Sequence, residues 1–326
     1  MKQNYFYQFL LAFLISASIY LLSCKKADNG TLSTVITYTP VFISSTAATV
    51  GCIVNSDGGS GVVECGIYVS STPNPETSST KLKIGADTGT FLGQVTGFTP
   101  GVQYYIKAYA VNTKGESLGA QVDFTTPLKL TDYDNNSYET VKIGSQLWMA
   151  ENLKTTRYKN GEVIGTTAPA TISISGESAP EYQWAYNGDE SNVTVYGRLY
   201  TGYVISDSRG ICPDGWHVPT TVEFTNLISF LGGEDIAGGQ VKATGITYWN
   251  TPNTGATNVT LFSALPGGDR YTEGTFETLG INCLFWSSTE NSPDRFTNMI
   301  LQNTTRTFTS SFNNKQNGLA VRCLKD

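Results

Sequence analysis

The sequence predicts two folded units: a β-sandwich of short antiparallel strands, then a unit in which strand-like runs surround one amphipathic helix. Three observations predict this. Between Thr34 and Pro127, short runs alternate apolar and polar residues between turn signals: Thr46 to Val54, the turn Ser56-Asp57-Gly58-Gly59, Val62 to Val69, and Tyr104 to Val111. Thr126-Pro127-Leu128 closes the last run, and a boundary between two separable units is expected there. Beyond it, Thr220 is followed three residues later by Glu223, the spacing of a capping box. Phe224, Leu227, Ile228 and Leu231 then form one apolar stripe, and Gly232-Gly233 supplies the stop.

The first residues bear on compartment. Lys2 precedes an apolar stretch from Phe9 to Leu22, shorter than the ~20 residues that span a bilayer. Leu21-Leu22-Ser23-Cys24 then places a thiol where a lipoprotein signal is cut and acylated. Residues 1–23 are therefore expected to be a lipoprotein signal peptide, Cys24 the lipidation site, and residues 24–33 a disordered polar tether. A membrane partner through the anchor follows, with an outer-membrane, surface-facing location or a periplasmic-facing one, since Lys25-Lys26-Ala27-Asp28 is a weak surface-export tag.

About 300 residues remain after cleavage, enough for two domains. Without Lys2 the chain carries 20 basic and 27 acidic side chains and no basic block, so no nucleic-acid partner is expected. A charged fraction of 15%, with 33 Gly and 18 Tyr, suits β-rich modules outside the cytoplasm. Besides Cys24 there are Cys52, Cys65, Cys212, Cys283 and Cys323, with no C-x-x-C spacing, and His217 is the single histidine. A zinc site lacks its ligands, and no metal or cofactor is expected. Cys52 and Cys65 lie on two expected strands joined by the Ser56 to Gly61 loop, where facing positions reach bridging distance; the alternative is two small buried apolar residues. Asp132-Tyr133-Asp134-Asn135-Asn136 has the start of a calcium loop, but Ser137 and Ile143 stand where glycine and glutamate are wanted, so it reads as a hairpin turn.

The stretch from Phe98 to Asn112, with Thr99-Pro100-Gly101 before Tyr104, resembles the end of a fibronectin type III module. The resemblance implies that Tyr104 is a corner tyrosine bonding back to the preceding turn, and that residues 34–127 are a fibronectin/Ig-like all-β sandwich. Farther on come Gln146-Leu147-Trp148-Met149-Ala150-Glu151-Asn152-Leu153, Tyr196-Gly197-Arg198-Leu199-Tyr200, Ile211 to Thr220, Phe262 to Arg270, Phe285 to Glu290 and Gly318 to Cys323. In this order they resemble the Fibrobacter succinogenes major paralogous domain, over Thr131 to Asp326 of a second domain set at residues 128–326. That resemblance implies an exported or surface lipoprotein and names no reaction. A remoter similarity to sulfatase-modifying factors and C-type lectin-like folds, carried by Val218-Pro219-Thr220 with Glu223 and Phe224 and by Val321-Arg322-Cys323, implies an α+β domain. Such a fold brings the domain's ends together and implies a Cys212–Cys323 disulfide closing about 110 residues, a loop constraint of ~4 kcal/mol, with Cys283 as the odd thiol.

An oxidase of the sulfatase-modifying kind needs a reactive cysteine pair, and Cys283 stands alone in that region. A Cys283/His217 nucleophile pair is weakened because His217 adjoins Trp216 and Pro219 in a core-like segment. No other acid-base pairing announces itself, so no catalytic residue is assigned. The five tryptophans all lie in the second unit; Trp148, Trp216 and Trp286 have apolar neighbours and read as core. Trp249 precedes the Gly/Asn-rich loop Asn250 to Gly255, and Trp184 precedes the turn Tyr186 to Asp189. Trp184, Trp249, Asn250, Asp269, Arg270 and Tyr271 form the candidate ligand surface. Calcium-dependent sugar binding lacks its acidic-Pro-amide string. The expected function is a lipid-anchored envelope protein presenting a non-enzymatic module for a glycan or surface protein. The alternatives are an enzyme related to sulfatase-modifying factors and a structural component of the envelope or an appendage.

Overall fold

The computed structural model describes residues 30–76 and 79–326; the expected signal peptide, Cys24 and the expected tether up to residue 29 lie outside the described residues. The alternating runs of the first unit become β1 (Thr34–Thr37), β2 (Phe42–Ser44), β3 (Ala47–Ser56), β4 (Glu64–Ser70), β5 (Thr80–Gly85), β6 (Gly89–Thr96), β7 (Gln103–Asn112), β8 (Gly115–Leu118) and β9 (Val122–Thr125). One sheet orders β1-β3-β2 with β6 also on β3; the other orders β5-β4-β7-β8 with β9 also on β7. Their facing sides close on Ile43, Val50, Ile67, Ile106 and Phe124. The Tyr104 hydroxyl accepts the Thr99 N–H at 3.0 Å and its ring packs 4.4 Å from Phe98, so the corner tyrosine clamps the turn before β7.

Two expectations are corrected here. Cys52 and Cys65 are not bridged: both thiols are free, fully buried hydrogen-bond neighbours. They sit with Ala108 and Ala110 where the two sheets meet, acting as small apolar residues, and burial pushes the Cys52 thiol up to about 12. The end of the expected tether is ordered: the Thr31 N–H donates to Gly58 O at 2.7 Å, the Asn112 amide donates to Thr31 O at 2.7 Å, and Ser33 is buried.

The second unit holds β10 (Leu130–Thr131), β11 (Ser137–Tyr138), β12 (Thr140–Ile143), β13 (Gln146–Met149), β14 (Gln183–Trp184), α1 (Val193–Tyr196), β15 (Leu199–Thr201), α2 (Gly202–Ser206), β16 (Trp216–His217), α3 (Thr221–Phe230) and α4 (Glu234–Val241). Then follow β17 (Asp269–Arg270), β18 (Phe276–Glu277), β19 (Asn282–Ser292), β20 (Arg295–Gln302), β21 (Thr309–Asn314), β22 (Gly318–Leu319) and β23 (Leu324–Lys325). The chain is mostly β, and its longest described helix, α3, has 10 residues. Thr220 and Glu223 close the capping box on each other; Phe224, Leu227 and Ile228 are buried, and Gly232 and Gly233 end the helix at φ of 93° and 103°. The Asp132 to Asn136 segment is a turn, with Asp132 accepting from the Asn136 N–H at 2.9 Å and from the Tyr138 hydroxyl at 2.5 Å. No helix of the described residues is long and apolar enough to cross a membrane.

The two units share a sheet, which corrects the expectation of separable domains. β2 pairs with β12, Phe42 opposite Ile143 and Ser44 opposite Val141, and the sheet continues through β13 and β23 to β16. Thr49 Oγ1 donates to Val259 O and Gln94 Nε2 to Asn258 O, both at 2.7 Å. Phe42 thereby enters the core of the second unit, 6.2 Å from Phe230. Phe42→Ala should destabilise that second unit by ~3 kcal/mol, although the residue lies in the first. All five tryptophans lie beyond Pro127, so denaturation followed by their fluorescence isolates the effect; an unshifted transition would refute the coupling.

Candidate functional site

The closing motif positions two clefts of the second unit. Val321 O accepts the Leu153 N–H at 2.9 Å and Cys323 O the Met149 N–H at 3.0 Å, fixing the last residues against β13. Arg322 is fully buried. It donates to Asn152 Oδ1 and Ser263 O, each at 3.0 Å, and to Phe262 O, with the Phe262 ring 4.3 Å away. Burial lowers its pKa to about 10, which leaves it charged. Cys323 is disulfide-bonded to Cys212 across 111 residues, and β23 lies between β13 and β16. The loop carrying Cys212 and the edge strand β16 are thus held from two directions.

Two clefts adjoin at Lys159, Ile211 and Cys212. One, of about 270 Å³, is lined by Thr131, Asp132, Tyr133, Arg157 and Asp214 among others. The other, of about 300 Å³, is lined by Ile205, Trp216, His217, Val218 and Ser288. Trp216 is half-buried, whereas Trp148, Trp184, Trp249 and Trp286 are 0–1% exposed.

His217 Nδ1 lies 2.7 Å from Asp326 Oδ1 and Nε2 2.9 Å from Glu223 Oε1. Burial opposes charge on the ring, but the bonds to Asp326 and Glu223 outweigh it and hold the pKa above the ordinary value. A carboxylate at each nitrogen needs a proton on both, so the imidazolium has no lone pair for base catalysis. Glu223 is held below the usual carboxylate range: burial raises it, but the Thr220 N–H and hydroxyl and His217 pull it further down. Cys283 sits in the core with Phe285, its thiol pushed by burial to about 12, and His217 is turned to carboxylates instead of to it. Among the described residues no three His, Cys, Asp or Glu gather as a metal would need.

The candidate ligand surface is corrected. Trp184 carries the Arg270 guanidinium 3.9 Å from its ring centroid and donates to Thr167 Oγ1 at 2.9 Å. Arg270 is fully buried and donates to Ala170 O at 3.1 and 3.0 Å and to Ile172 O at 2.5 Å. Asp269 is buried and accepts from the Thr278 hydroxyl at 2.6 Å; burial raises its pKa, and Tyr271 bonds to it half-buried. Trp249 donates to Ala264 O at 3.0 Å with the Lys242 ammonium 5.2 Å from its ring. Asn250 alone of the six is exposed. The structure therefore brings Trp184, Asp269, Arg270 and Tyr271 together, but as buried packing around β14 and β17. Trp216, which its apolar neighbours mark as core, is the tryptophan that reaches a cleft. The signal for it is adjacency to the exposed turn residues Asp214 and Gly215.

These features define a two-unit, mostly β protein whose second unit carries a capped helix on one core cluster and a cystine in another. The chain belongs to the Fibrobacter succinogenes major domain family, whose model matches residues 141–325, beginning on β12. No curated protein matches it. Among solved structures it is similar to a fourth fibronectin III domain from human, at 14% identity over 33% of this chain and 88% of that one, TM-score 0.26. The third fibronectin III domain of human KIAA0343 protein matches at 21% over 32% and 90%, TM-score 0.20. The twitchin kinase region of C. elegans matches at 10% over 60% of this chain and 34% of that one, TM-score 0.21.

Arg322→Met should cost ~3–5 kcal/mol of stability, because Asn152, Phe262 and Ser263 would each keep a buried acceptor without a donor; urea denaturation measures it. The raised His217 pKa gives a contribution complete below about 6.5 and lost as pH rises through the folded value; the lowered Glu223 pKa gives one present above about 4.3 and lost on acidification. The melting temperature of the wild type relative to His217→Gln should therefore be most favourable between those limits and decline above them. A pH-independent difference would contradict this.

Proposed function

We propose that the protein is a lipid-anchored envelope protein whose second unit binds a glycan, or a protein partner, through the clefts beside Cys212. The carrying observation is Trp216, an aromatic side chain left half-open on an edge strand beside a largely apolar cleft that carries Lys159, His217 and Ser288. Sugar rings present apolar faces and hydroxyl rims, and an aromatic plane flanked by Ser288, His217 and Lys159 matches both. The module is read as non-enzymatic, since the Cys283 thiol is sealed in the core and His217 has both nitrogens occupied. An α+β, lectin-like description is supported by α3 packing Phe224 against Trp148 and by the disulfide that draws the end of the chain to Cys212.

The anchor follows from Leu21-Leu22-Ser23-Cys24. Cells fed labelled palmitate should incorporate it into the wild type and not into Cys24→Ser, which should leave the membrane fraction; equal labelling would refute the assignment. For the binding reading, a glycan array probed with the chain from residue 25 onward should return positive spots. Trp216→Ala should weaken them about tenfold or more, or ~1.4 kcal/mol. Positive spots indifferent to that substitution would move the site elsewhere.

A further inference from the structure

We propose that the cleft beside Trp216 is selective for a carboxylate-bearing sugar unit, with Lys159 as the cation that meets the carboxylate. This rests on the glycan reading above and adds the charge of the ligand. Lys159 is the cation common to both clefts, and it is exposed at their junction. Its backbone N–H is tied to Gly210 O at 2.8 Å, and its aliphatic stem lies beside Gly210, 3.4–3.9 Å from where a Cβ there would sit. Gly210 itself sits at φ 66°, the left-handed region that favours glycine. Among the described residues no hydrogen bond or ion pair engages the Lys159 ammonium. The neighbouring cations are engaged. Arg157 faces Asp134 at 3.2 Å, Arg209 faces Asp207 and Glu162 at 2.8 Å and also Glu181, His217 lies between two carboxylates, and the Lys325 ammonium stands 5.9 Å from the Trp216 ring centroid.

The acidic groups divide the two clefts. No Asp or Glu lines the Trp216 cleft; Glu223 and Asp326 stand behind its imidazole, whose single charge offsets one of the two. The other cleft is lined by Asp132, already engaged by Asn136 and Tyr138, and by the exposed Asp214. An anionic sugar thus fits the Trp216 side with its carboxylate toward Lys159, and hydroxyl-rich neutral units fit the Asp214 side. The net charge of -6 repels anions at long range. At physiological salt that repulsion is screened beyond ~8 Å, so selectivity is set by the nearest charges.

The test measures binding of the chain from residue 25 onward to a galacturonate oligomer, a galactose oligomer of equal length and a glutamate-rich peptide. The proteins are the wild type, Lys159→Ala, Lys159→Arg and Trp216→Ala. The expected result is at least tenfold preference for the acidic over the neutral sugar, reduced by added salt, erased by Lys159→Ala and retained by Lys159→Arg. Trp216→Ala should weaken both sugars. Equal affinity for the two sugars, or a preference untouched by Lys159→Ala, overturns the charge assignment while leaving the glycan reading intact. Binding of neither sugar overturns the glycan reading itself. Binding of the peptide alone overturns both in favour of a protein partner.

Discussion

Three fully buried cations hold the second unit together, and each lies over an aromatic face. Lys242, Arg270 and Arg322 are 0–1% exposed, and among the described residues none is in a salt bridge. A charge stripped of water is tolerated only where hydrogen bonds replace it. Lys242 donates to the carbonyls of Thr254, Gln302 and Thr305; Arg270 to those of Ala170, Ile172 and Tyr271; Arg322 to those of Phe262 and Ser263 and to the Asn152 side chain. Their ring partners are Trp249, Trp184 and Phe262. A unit in which many strands are two residues long and joined by long connections buries carbonyls that no ladder can pair. A cation with several donors satisfies several of them at once, and the ring beneath it recovers part of the lost hydration.

That constraint transmits outward. Arg322 fixes Phe262 and Ser263 against Asn152, which fixes the backbone of Val321 and Cys323 against Leu153 and Met149. Cys323 then fixes Cys212, and β23 fixes β16 by pairing Leu324 with His217. Both clefts are bounded by residues on this path, so their shape rests on a core that holds its own charges, and β12 carries the same sheet into the first unit.

Local patterns were legible because local physics decides them. The α3 cap and stripe need only residues 220 to 233, and the Tyr104 corner only the turn before it. The fates of the tryptophans were not legible, because what covers them comes from elsewhere: Arg270 lies 86 positions from Trp184 in the chain. A Gly/Asn-rich loop after Trp249 does reach solvent, yet the ring points inward to Ala264 and Lys242. Trp216 failed in the opposite sense. Apolar neighbours bury a strand only when something covers both sides, and β16 is the last strand of its sheet. The junction escaped for a related reason: Phe42-Ile43-Ser44 is too short to show a period, and all three residues are buried.

The shared sheet also bears on how the clefts would be displayed. Thr31 is already hydrogen-bonded to Gly58 and Asn112, so folded structure begins within seven positions of Cys24. Fully extended, that length reaches no more than ~25 Å. A lipid at Cys24 would hold the first sandwich close to the membrane. With β2 paired to β12 in place of a flexible hinge, the second unit would take its height and orientation from the first. Such an arrangement trades reach for a fixed presentation, which suits a ligand that is itself extended and fixed to a surface better than one free in solution.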